Sequence, residues 1–344
     1  MTKPAENTRI VLASRPVGEP QPSDFRIETV PVPVPGDGQL LLKTLYLSLD
    51  PYMRGRMSAA KSYADPVELG DVMVGGTVCE VVESKDPAFH AGDVVLSFSG
   101  WQTHSVIDAH HVRKLDPQAA PVQSWLGVLG MPGFTGYAGL LRIGDPKPGE
   151  TVVVAAATGP VGSAVGQIAK IKGARAVGIA GGPEKVAYLR EIGFDAAIDH
   201  RAPDFAEQLA AACPDGIDVY FENVGGAVWA AVCPLLNDFA RVPVCGLVSH
   251  YNETAAPAGP DRLPGFMNDV LKKSLTIRGF IQSEFVKSDF KAFVADMSGW
   301  MHNGRIAYRE DIVEGLENAP AAFNGMLAGR NFGKLIIKVA EAGS

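Results

Sequence analysis

Between Thr151 and Ile281 the chain alternates short apolar runs, rich in β-branched residues, with longer amphipathic segments. The apolar runs contain few polar positions, which is typical of strands that are buried on both faces. The first two amphipathic segments end at Gly173 and Gly193, and glycine commonly ends a helix. Strands are predicted over 151–157, 174–180, 196–199, 217–223, 240–248 and 275–281, with helices within 161–173, 183–193, 204–213 and 227–237. This alternation predicts an α/β fold with a doubly wound parallel sheet.

The first 128 residues follow a different pattern. They contain short apolar runs separated by Pro/Gly turns, as in "PVPVPGDGQLLLKTLYL" and "HAGDVVLSFSG", which predicts a β-rich domain. The C-terminal end carries a helix candidate over 317–329 and a strand candidate over 333–339. Since this last strand could return to the N-terminal sheet, we predict an α/β domain, residues 129–302, inserted into a discontinuous domain formed by 1–128 and 303–344.

Composition narrows the class of protein. The chain has 344 residues, enough for two domains, and a formal net charge of −7 that argues against nucleic acid as a partner. The N-terminus is polar, and we find no apolar run of 18 residues, so no membrane partner is expected. The four cysteines are far apart, which is typical of free thiols in a reducing compartment: Cys79, Cys213, Cys233 and Cys245. We therefore expect a cytoplasmic protein.

A glycine motif follows the first strand of the alternating region. In "AAATGPVGSAVGQIAK", residues 155–170, the glycines Gly159, Gly162 and Gly166 stand at G-x-x-G-x-x-x-G spacing. Such a turn lets the backbone approach a pyrophosphate, and the following helix offers N–H groups to that anion. A purely structural turn is the alternative. The complete strand–helix frame favours a Rossmann dinucleotide-binding site.

The end of the second strand indicates which dinucleotide is bound. An acidic residue that holds the ribose hydroxyls of NAD is expected about 20 residues beyond the motif, yet residues 179–182 contain none. Lys185 follows closely, so a 2′-phosphate would be accepted, although a solvated surface lysine is the alternative. His200 and Arg201, after the third strand, could reach the same phosphate, the imidazole without a charge at pH 7. The expected cofactor is NADPH.

The sequence argues against a catalytic zinc ion. Such a site needs Cys and His ligands, but "YLSLDPYMR" (46–54) has no Cys and "VMVGGTVCEV" (72–81) has no His. The pair His110-His111 is the nearest metal-like feature, and loop or edge material is the preferred interpretation. No metal is therefore expected, and the chemistry must be hydride transfer to an already activated acceptor.

Several long motifs carry a resemblance over nearly the whole chain. These are "LSLDPYMRGRM", "MPGFTGYAGL", "AAATGPVGSAVGQIAK", "FENVGG", "VCGLVSHYN" and "GLENAPAAFNGMLAGRNFGK". On these motifs the chain resembles the zinc-independent medium-chain dehydrogenases/reductases, in the branch of prostaglandin/leukotriene reductases and plant alkenal double-bond reductases. The resemblance implies a GroES-like substrate domain around the Rossmann domain, a homodimer, and NADPH-dependent reduction of the C=C bond in curcumin-like enones, alkenals and 15-oxoprostaglandin-like compounds.

The resemblance also implies roles for single residues. His200 stands where animal prostaglandin reductases have a tyrosine beside the 2′-phosphate, so the resemblance places it at the cofactor without assigning its contact. The substrate pocket is expected to contain Tyr251, whose hydroxyl would face the substrate carbonyl, and Tyr52 as a wall. The implied cofactor-binding residues are Thr135, Thr158, Gly159, Pro160, Val161, Gly182, Lys185, His200, Asn223, Cys245, Gly246, Leu247, Ser249, Tyr251, Phe280, Ile281 and Asn331.

The chemistry supports a role for Tyr251. Hydride addition to the β-carbon of an enone places negative charge on the carbonyl oxygen, and a neutral hydrogen-bond donor stabilises that enolate. A loop tyrosine that merely covers the pocket is the alternative for Tyr251, and ordinary packing is the alternative for Tyr52. The loop 251–266 is either a lid over the substrate or a surface excursion. Two other functions stay open, an NADPH-dependent quinone reductase and a non-catalytic NADPH-binding protein.

Overall fold

The structure, a computed structural model, describes residues 6–255 and 259–343. The chain divides into two compact units, Met1–Gly127 with Glu310–Ser344 and Val128–Arg309. These bounds lie at 127/128 and 309/310, whereas the predicted domains meet at 128/129 and 302/303. In the second unit the Gln167 side chain donates to Ala307 O at 2.9 Å and accepts from Ala307 N at 2.7 Å. These two bonds tie the segment around Ala307 to the second unit.

The first unit is built mainly from antiparallel strands. Its strands are β1 (Glu6–Leu12), β2 (Phe25–Pro31), β3 (Gln39–Ser48), β4 (Thr77–Ser84), β5 (Val94–Ser97), β6 (His104–Asp108), β7 (Arg113–Lys114), β14 (Glu310–Glu314) and β15 (Lys334–Lys338). Strands β1 and β2 pair with each other, and a larger sheet has the order β14-β15-β3-β4-β5-β7, with β6 on β3. Strand β15 pairs antiparallel with β3, so the expected return of the C-terminal strand to the N-terminal sheet is confirmed.

Two helices complete this unit, α1 (Tyr52–Arg56) and α9 (Ala319–Leu327). Trp101 is fully buried at the centre of the unit's larger core cluster. Its ring stacks on Phe25 at 5.6 Å between centroids and meets the edge of Phe323 at 5.7 Å. Because Phe323 belongs to α9, the C-terminal segment contributes directly to the core of the N-terminal domain.

The second unit is the predicted α/β domain. Its strands are β8 (Thr151–Ala155), β9 (Arg175–Ala180), β10 (Ala196–Asp199), β11 (Ile217–Phe221), β12 (Leu236–Val244) and β13 (Thr276–Gly279). Its helices are α2 (Met131–Gly139), α3 (Pro160–Ile171), α4 (Pro183–Glu191), α5 (Phe205–Ala212), α6 (Gly226–Val232), α7 (Leu263–Lys272) and α8 (Ser283–His302). All six strands are parallel in the order β10-β9-β8-β11-β12-β13, which confirms the doubly wound sheet.

Burial explains the apolar runs from which these strands were predicted. Every residue of β8 is buried, and Val152, Val153 and Val154 have no exposed surface. A central parallel strand is covered by helices on both faces, so neither face needs polar side chains.

The structure corrects two expectations in this unit. The helix predicted within 227–237 ends at Val232, and a short 3-10 turn, Cys233–Leu235, leads into β12 at Leu236. Pro234 lies in that turn, and proline cannot supply the N–H that would continue an α-helix. Residues 245–248, predicted as the end of a strand, leave the sheet after Val244.

The loop predicted over 251–266 is shorter in the structure, because α7 begins at Leu263. Residues 256–258 of that loop lie outside the described part of the chain. No helix among the described residues is long and apolar enough to cross a membrane.

Candidate active site

The predicted site residues of the second unit other than Thr135 follow strands that end at one edge of its sheet. Parallel strands end at the same edge of the sheet. The strand order reverses between β8 and β11, since β9 and β10 are added on one side of β8 and β11 to β13 on the other. Ligands of doubly wound sheets bind outside the carboxyl ends of the strands at this reversal. Thr158, Gly159, Pro160 and Val161 follow β8, Gly182 and Lys185 follow β9, His200 follows β10, Asn223 follows β11, Cys245, Gly246, Leu247, Ser249 and Tyr251 follow β12, and Phe280 and Ile281 follow β13.

The glycine motif forms a tight turn between β8 and α3. Ala156 has a left-handed φ of 51°, and Gly159 N donates to Ala156 O at 3.0 Å. A Cβ at Gly162 would lie 2.5 Å from Ala156 O, and one at Gly166 would lie 1.9 Å from the Phe194 ring. Gly162 therefore lets α3 start against the end of β8, and Gly166 lets the helix pack on Phe194.

This turn fits a pyrophosphate group. Gly159 is the N-cap of α3 and provides no capping side chain, while Pro160 stands in the first turn. The backbone N–H groups of a helix's first turn have no partner within the helix and carry its positive dipole end. Val161 and Gly162 lie in this first turn, so the start of α3 forms a backbone anion cradle.

Basic residues converge beside Gly181 at the end of β9. A Cβ at Gly181 would lie 2.9 Å from both Arg201 Nε and His200 Nε2. Partial burial of the ring lowers the pKa of His200, and the charges of Arg201 and Lys185 lower it further. The structure thus brings Lys185, His200 and Arg201 together, with the imidazole neutral at pH 7.

Asp199 is a residue of this group that the sequence analysis missed. Its Oδ1 accepts hydrogen bonds from Gly182 N at 3.0 Å and Arg201 N at 2.9 Å. The bond from Gly182 is the main reason that the pKa of Asp199 is lowered. This acid ends β10, not β9, and its carboxylate holds the backbone on both sides of the basic group. An aspartate directly before His200 and Arg201 was the available signal.

Asn223 lies at the point where the strand order reverses. Its Nδ2 donates to Ala155 O at 2.9 Å, which joins the carboxyl ends of β11 and β8. The side chain is therefore fixed at the strand that leads into the glycine turn.

Tyr251 folds back over the end of β12. A 3-10 turn, Val248–His250, precedes it, and Tyr251 N donates to Val248 O at 3.3 Å. A Cβ at Gly246 would lie 3.1 Å from Tyr251 Oη, so the absence of a side chain at 246 leaves room for the phenol. The hydroxyl is thereby placed at the carboxyl edge of the sheet.

Other predicted residues after β12 differ in exposure. Burial raises the pKa of the Cys245 thiol to about 12, with a further contribution from the charge of Glu222. The Leu247 side chain is exposed, while Ser249 Oγ donates to Val224 O. Cys245 is therefore a protonated thiol at the site, and the Ser249 hydroxyl is engaged with the backbone.

The predicted residues Phe280, Ile281 and Thr135 differ in burial. Phe280 is buried and meets Phe221 edge to face at 6.2 Å, while Ile281 is partly exposed. Thr135 is buried on α2, and its hydroxyl donates to Met131 O at 2.7 Å.

Two predicted residues belong to the first unit. Tyr52 begins α1, and burial, followed by the charge of Asp50, raises its phenol pKa. Asn331 Nδ2 donates to Gly333 O at 2.9 Å. Their predicted roles toward cofactor and substrate stay predictions.

His110 and His111 have one potential companion ligand. Asp108, His110 and His111 place one possible ligand atom each within 4.8 Å of one another, and both imidazoles are exposed. This group lies in the first unit, at the end of β6 and in the turn that follows it. None of its three residues is among the predicted cofactor-binding residues. The absence of a catalytic metal stays a prediction.

A parallel sheet of this order with a glycine turn where the strand order reverses is typical of a dinucleotide-binding domain. Residues 8–115 match a family model described as the N-terminal domain of oxidoreductase, and residues 160–299 match one described as zinc-binding dehydrogenase. The NADPH-dependent curcumin reductase of Escherichia coli (strain K12) is 58% identical over 335 residues, 97% of each chain. The chain belongs to the medium-chain dehydrogenase/reductase family.

Two further similarities support this membership. Prostaglandin reductase 1 of Sus scrofa is 43% identical over 326 residues, which cover 94% of this chain and 96% of that protein. The crystal structure of CurA in complex with NADPH from Vibrio vulnificus matches with a TM-score of 0.95 and 53% identity, over 98% of this chain and 100% of that one.

Proposed function

We propose that this protein reduces the C=C bond of α,β-unsaturated ketones and aldehydes with NADPH. The observation that carries the proposal is the position of the Tyr251 hydroxyl at the carboxyl edge of a sheet whose neighbouring strands end in an anion cradle and a basic group. The relatives named above, a curcumin reductase and a prostaglandin reductase, support the same reaction.

The cofactor would be held by backbone and by charge. The N–H groups of Val161 and Gly162 at the start of α3 face the pyrophosphate in this proposal, with Thr158, Gly159 and Pro160 forming the turn before them. Lys185 and Arg201 supply positive charge for the 2′-phosphate, with His200 as a neutral hydrogen-bonding group. NADPH, when bound, supplies the hydride. The remaining cofactor-lining residues in this proposal are Thr135, Gly182, Asn223, Cys245, Gly246, Leu247, Ser249, Phe280, Ile281 and Asn331.

Tyr251 would act on the substrate oxygen. Its neutral O–H donates a hydrogen bond to the carbonyl, and this bond strengthens as negative charge develops in the enolate. The α-carbon is then protonated by solvent, so the chain needs no dedicated acid. We assign Tyr52 to the pocket wall. Because a phenol provides the oxyanion donor, the proposed reaction is independent of zinc.

The test is cofactor consumption against a panel of acceptors. We expect NADPH to be oxidised by enones and alkenals, with NADH much less effective, and product analysis to show a saturated C–C bond and an intact carbonyl. Prior treatment with a chelator should leave the rate unchanged. Turnover of quinones alone would favour the quinone reductase, and NADPH binding without consumption would favour the non-catalytic alternative.

We also propose that two copies associate through the second unit. Strand β13 is last in the strand order of the described sheet and is exposed along its length. Helix α7, which leads into it, exposes an apolar stripe at helical spacing, with Leu263 60%, Met267 54% and Leu271 78% exposed. An open strand edge can pair with its own copy about a two-fold axis, which gives a closed homodimer.

A reducing location completes the proposal. The four cysteines are free thiols in the structure, as is usual for cytoplasmic proteins. We therefore place the enzyme in the cytoplasm.

A further inference from the structure

Glu222, directly after β11, has a buried carboxylate that the proposed reaction does not use. The residue is 2% exposed, and its Oε1 accepts hydrogen bonds from Tyr220 Oη at 2.9 Å, Val224 N at 2.7 Å and Gly225 N at 2.9 Å. One oxygen therefore gathers two consecutive backbone donors of the following turn and one side-chain donor from the strand. Burying a carboxylate is unfavourable, so such an arrangement persists where the bonds fix something.

The main chain of Glu222 joins the same network. Its carbonyl oxygen accepts from Cys245 N at 2.9 Å and Gly246 N at 3.2 Å, and its N–H donates to Pro243 O at 3.0 Å. The side chain thus fixes the turn after β11 at the place where that strand is joined to the end of β12.

The turn held by the carboxylate, Asn223–Gly225, is conformationally unusual at its end. Gly225 has a φ of 78° and Gly226 a φ of 57°, both in the left-handed region. Glycine loses much conformational freedom when it is fixed there, so local backbone preference does not specify this turn. The hydrogen bonds to Glu222 do.

The segment that presents Tyr251 rests on this turn. Val248 N donates to Asn223 O at 3.1 Å, and Ser249 N donates to Val224 O at 3.0 Å. The His250 ring lies against the third residue, since a Cβ at Gly225 would be 2.9 Å from His250 Nε2. Three consecutive residues before Tyr251 therefore contact three consecutive residues that Glu222 orders.

We propose that Glu222 is a positioning residue: its buried carboxylate fixes the turn Asn223–Gly225 and thereby places the Tyr251 hydroxyl over Gly246. The inference rests on the proposed role of Tyr251 in enone reduction. Glu222 does not exchange a proton with substrate; it supplies the acceptor that three donors need. An amide oxygen can replace part of this acceptor, whereas an aspartate carboxylate is one methylene short of it.

A double-mutant cycle on kcat tests this link. We expect Glu222→Ala to lower kcat for an enone by about 10- to 100-fold, within the range for losing an oxyanion donor, with Glu222→Gln recovering most of the loss. In a Tyr251→Phe background, Glu222→Ala should lower kcat less than about threefold, because residues that act through one group are non-additive. All four proteins are compared at saturating NADPH, because Asn223 and Ser249, which belong to the linked segments, are proposed cofactor-lining residues.

If the kcat of the double mutant falls by the product of the two single-mutant factors, the inference is overturned while the proposed function stays intact. A merely structural role predicts that multiplication, because unfolding would not depend on the Tyr251 hydroxyl.

Amide hydrogen exchange gives a readout that needs no activity. Glu222→Ala should speed exchange at residues 248–251 by at least about tenfold, with the amides of α3 unaffected. Asp289→Asn is the matched control, because Asp289 is also a buried carboxylate of the second unit but bonds Arg142 and Ser288 instead. It should leave exchange at 248–251 unchanged.

Two outcomes are then separable. If the wild-type protein reduces no enone, the proposed function fails, and the exchange experiment still tests the positioning. Should Glu222→Ala not fold, Glu222→Asp carries the test, since its shortened carboxylate should also speed exchange at 248–251. Unchanged exchange in that variant contradicts the inference.

Discussion

At the scale of single residues, the proposed chemistry depends on one phenol. Tyr251→Phe removes the donor but keeps the ring that occupies the space above Gly246. We expect kcat for an enone, measured at saturating NADPH, to fall by about 10- to 1,000-fold, the range for losing one oxyanion donor. Steady-state kinetics measure this, with Tyr63→Phe, at an exposed position of the first unit, as the control. Equal turnover by wild type and Tyr251→Phe removes the tyrosine from the mechanism.

The proposed preference for NADPH depends on Lys185 and Arg201. Arg201 lies beside Gly181, and the charge of Lys185 acts on the neighbouring His200. Each single change to alanine should therefore weaken NADPH binding by about 1.5–3 kcal/mol, typical of a charged hydrogen bond, and NADH binding little. Titration calorimetry with both cofactors measures the difference. Lys172→Ala, at the far end of α3, is the matched control. A loss of the same size for NADH would rule out contact with the 2′-phosphate.

The Cys245 thiol lies in the proposed site for electrophilic substrates, and its raised pKa makes it unreactive there. A thiol pKa of about 12, raised by burial and by Glu222, leaves about one thiolate in ten thousand at pH 8. We expect no adduct at Cys245 when the protein is incubated with an enone at pH 8, while glutathione in the same mixture reacts. Peptide mass mapping checks this. Since the thiolate fraction rises tenfold per pH unit below that pKa, modification should appear only as the pH increases; rapid labelling at pH 7 would contradict the assignment.

At the scale of elements, the turn between β8 and α3 needs a glycine at 162. Gly162→Ala would place a Cβ 2.5 Å from a backbone oxygen and 2.7 Å from Ala157 Cα, so the helix start must move. We expect a lower Tm and weaker NADPH binding, measured by thermal unfolding with and without cofactor.

Gly299→Ala is the control for that substitution. Gly299 lies within α8. Apart from the helix's own backbone, no atom of the described residues lies within 4 Å of the place where an alanine Cβ would stand, so alanine should be neutral or stabilise the helix by about 0.5–1 kcal/mol. Similar Tm losses in both variants would show that the close approach at Gly162 has no special importance.

Element prediction succeeded where pattern and stop signals agreed. The strands and helices between residues 151 and 221 have predicted and observed bounds within a few residues, because buried parallel strands contain few polar residues and their helices end at glycine. The predicted bounds of the elements after Gly226 were less accurate. There an apolar run crosses Pro234 and continues from α6 into β12, and periodicity alone does not separate a buried helix from a buried strand.

At the scale of the whole molecule, the apolar stripe of α7 leads to a prediction about assembly. Leu271→Glu should convert a dimer to a monomer, because a charge would be buried at the proposed interface, while the free monomer tolerates it at a 78% exposed position. Light scattering coupled to size exclusion measures the mass. Val34→Glu, on an exposed residue of the first unit, should leave the assembly unchanged. A monomeric wild-type protein would contradict the proposed homodimer.

The candidate site was only partly predictable. The glycine turn, Lys185 and His200 could be found because each follows a predicted strand directly, so the parallel order alone brings them to one edge. The role of Asp199 could not be found in this way. Its carboxylate accepts a hydrogen bond from Gly182 N in the loop after the neighbouring strand β9, and that contact exists only once β9 and β10 pair.

The sequence by itself determined the fold class, the cofactor turn and the absence of an NAD-type acid, because these depend on local patterns and on residues that follow strands directly. Tertiary structure alone decided the surroundings of Tyr251 and the acceptor role of Glu222. Those contacts join the segments that follow β11 and β12. Val224 and Ser249, which are bonded to each other, are 25 residues apart in the chain. The sequence does not show that a glutamate is buried or which donors surround it, because the fold brings those donors together.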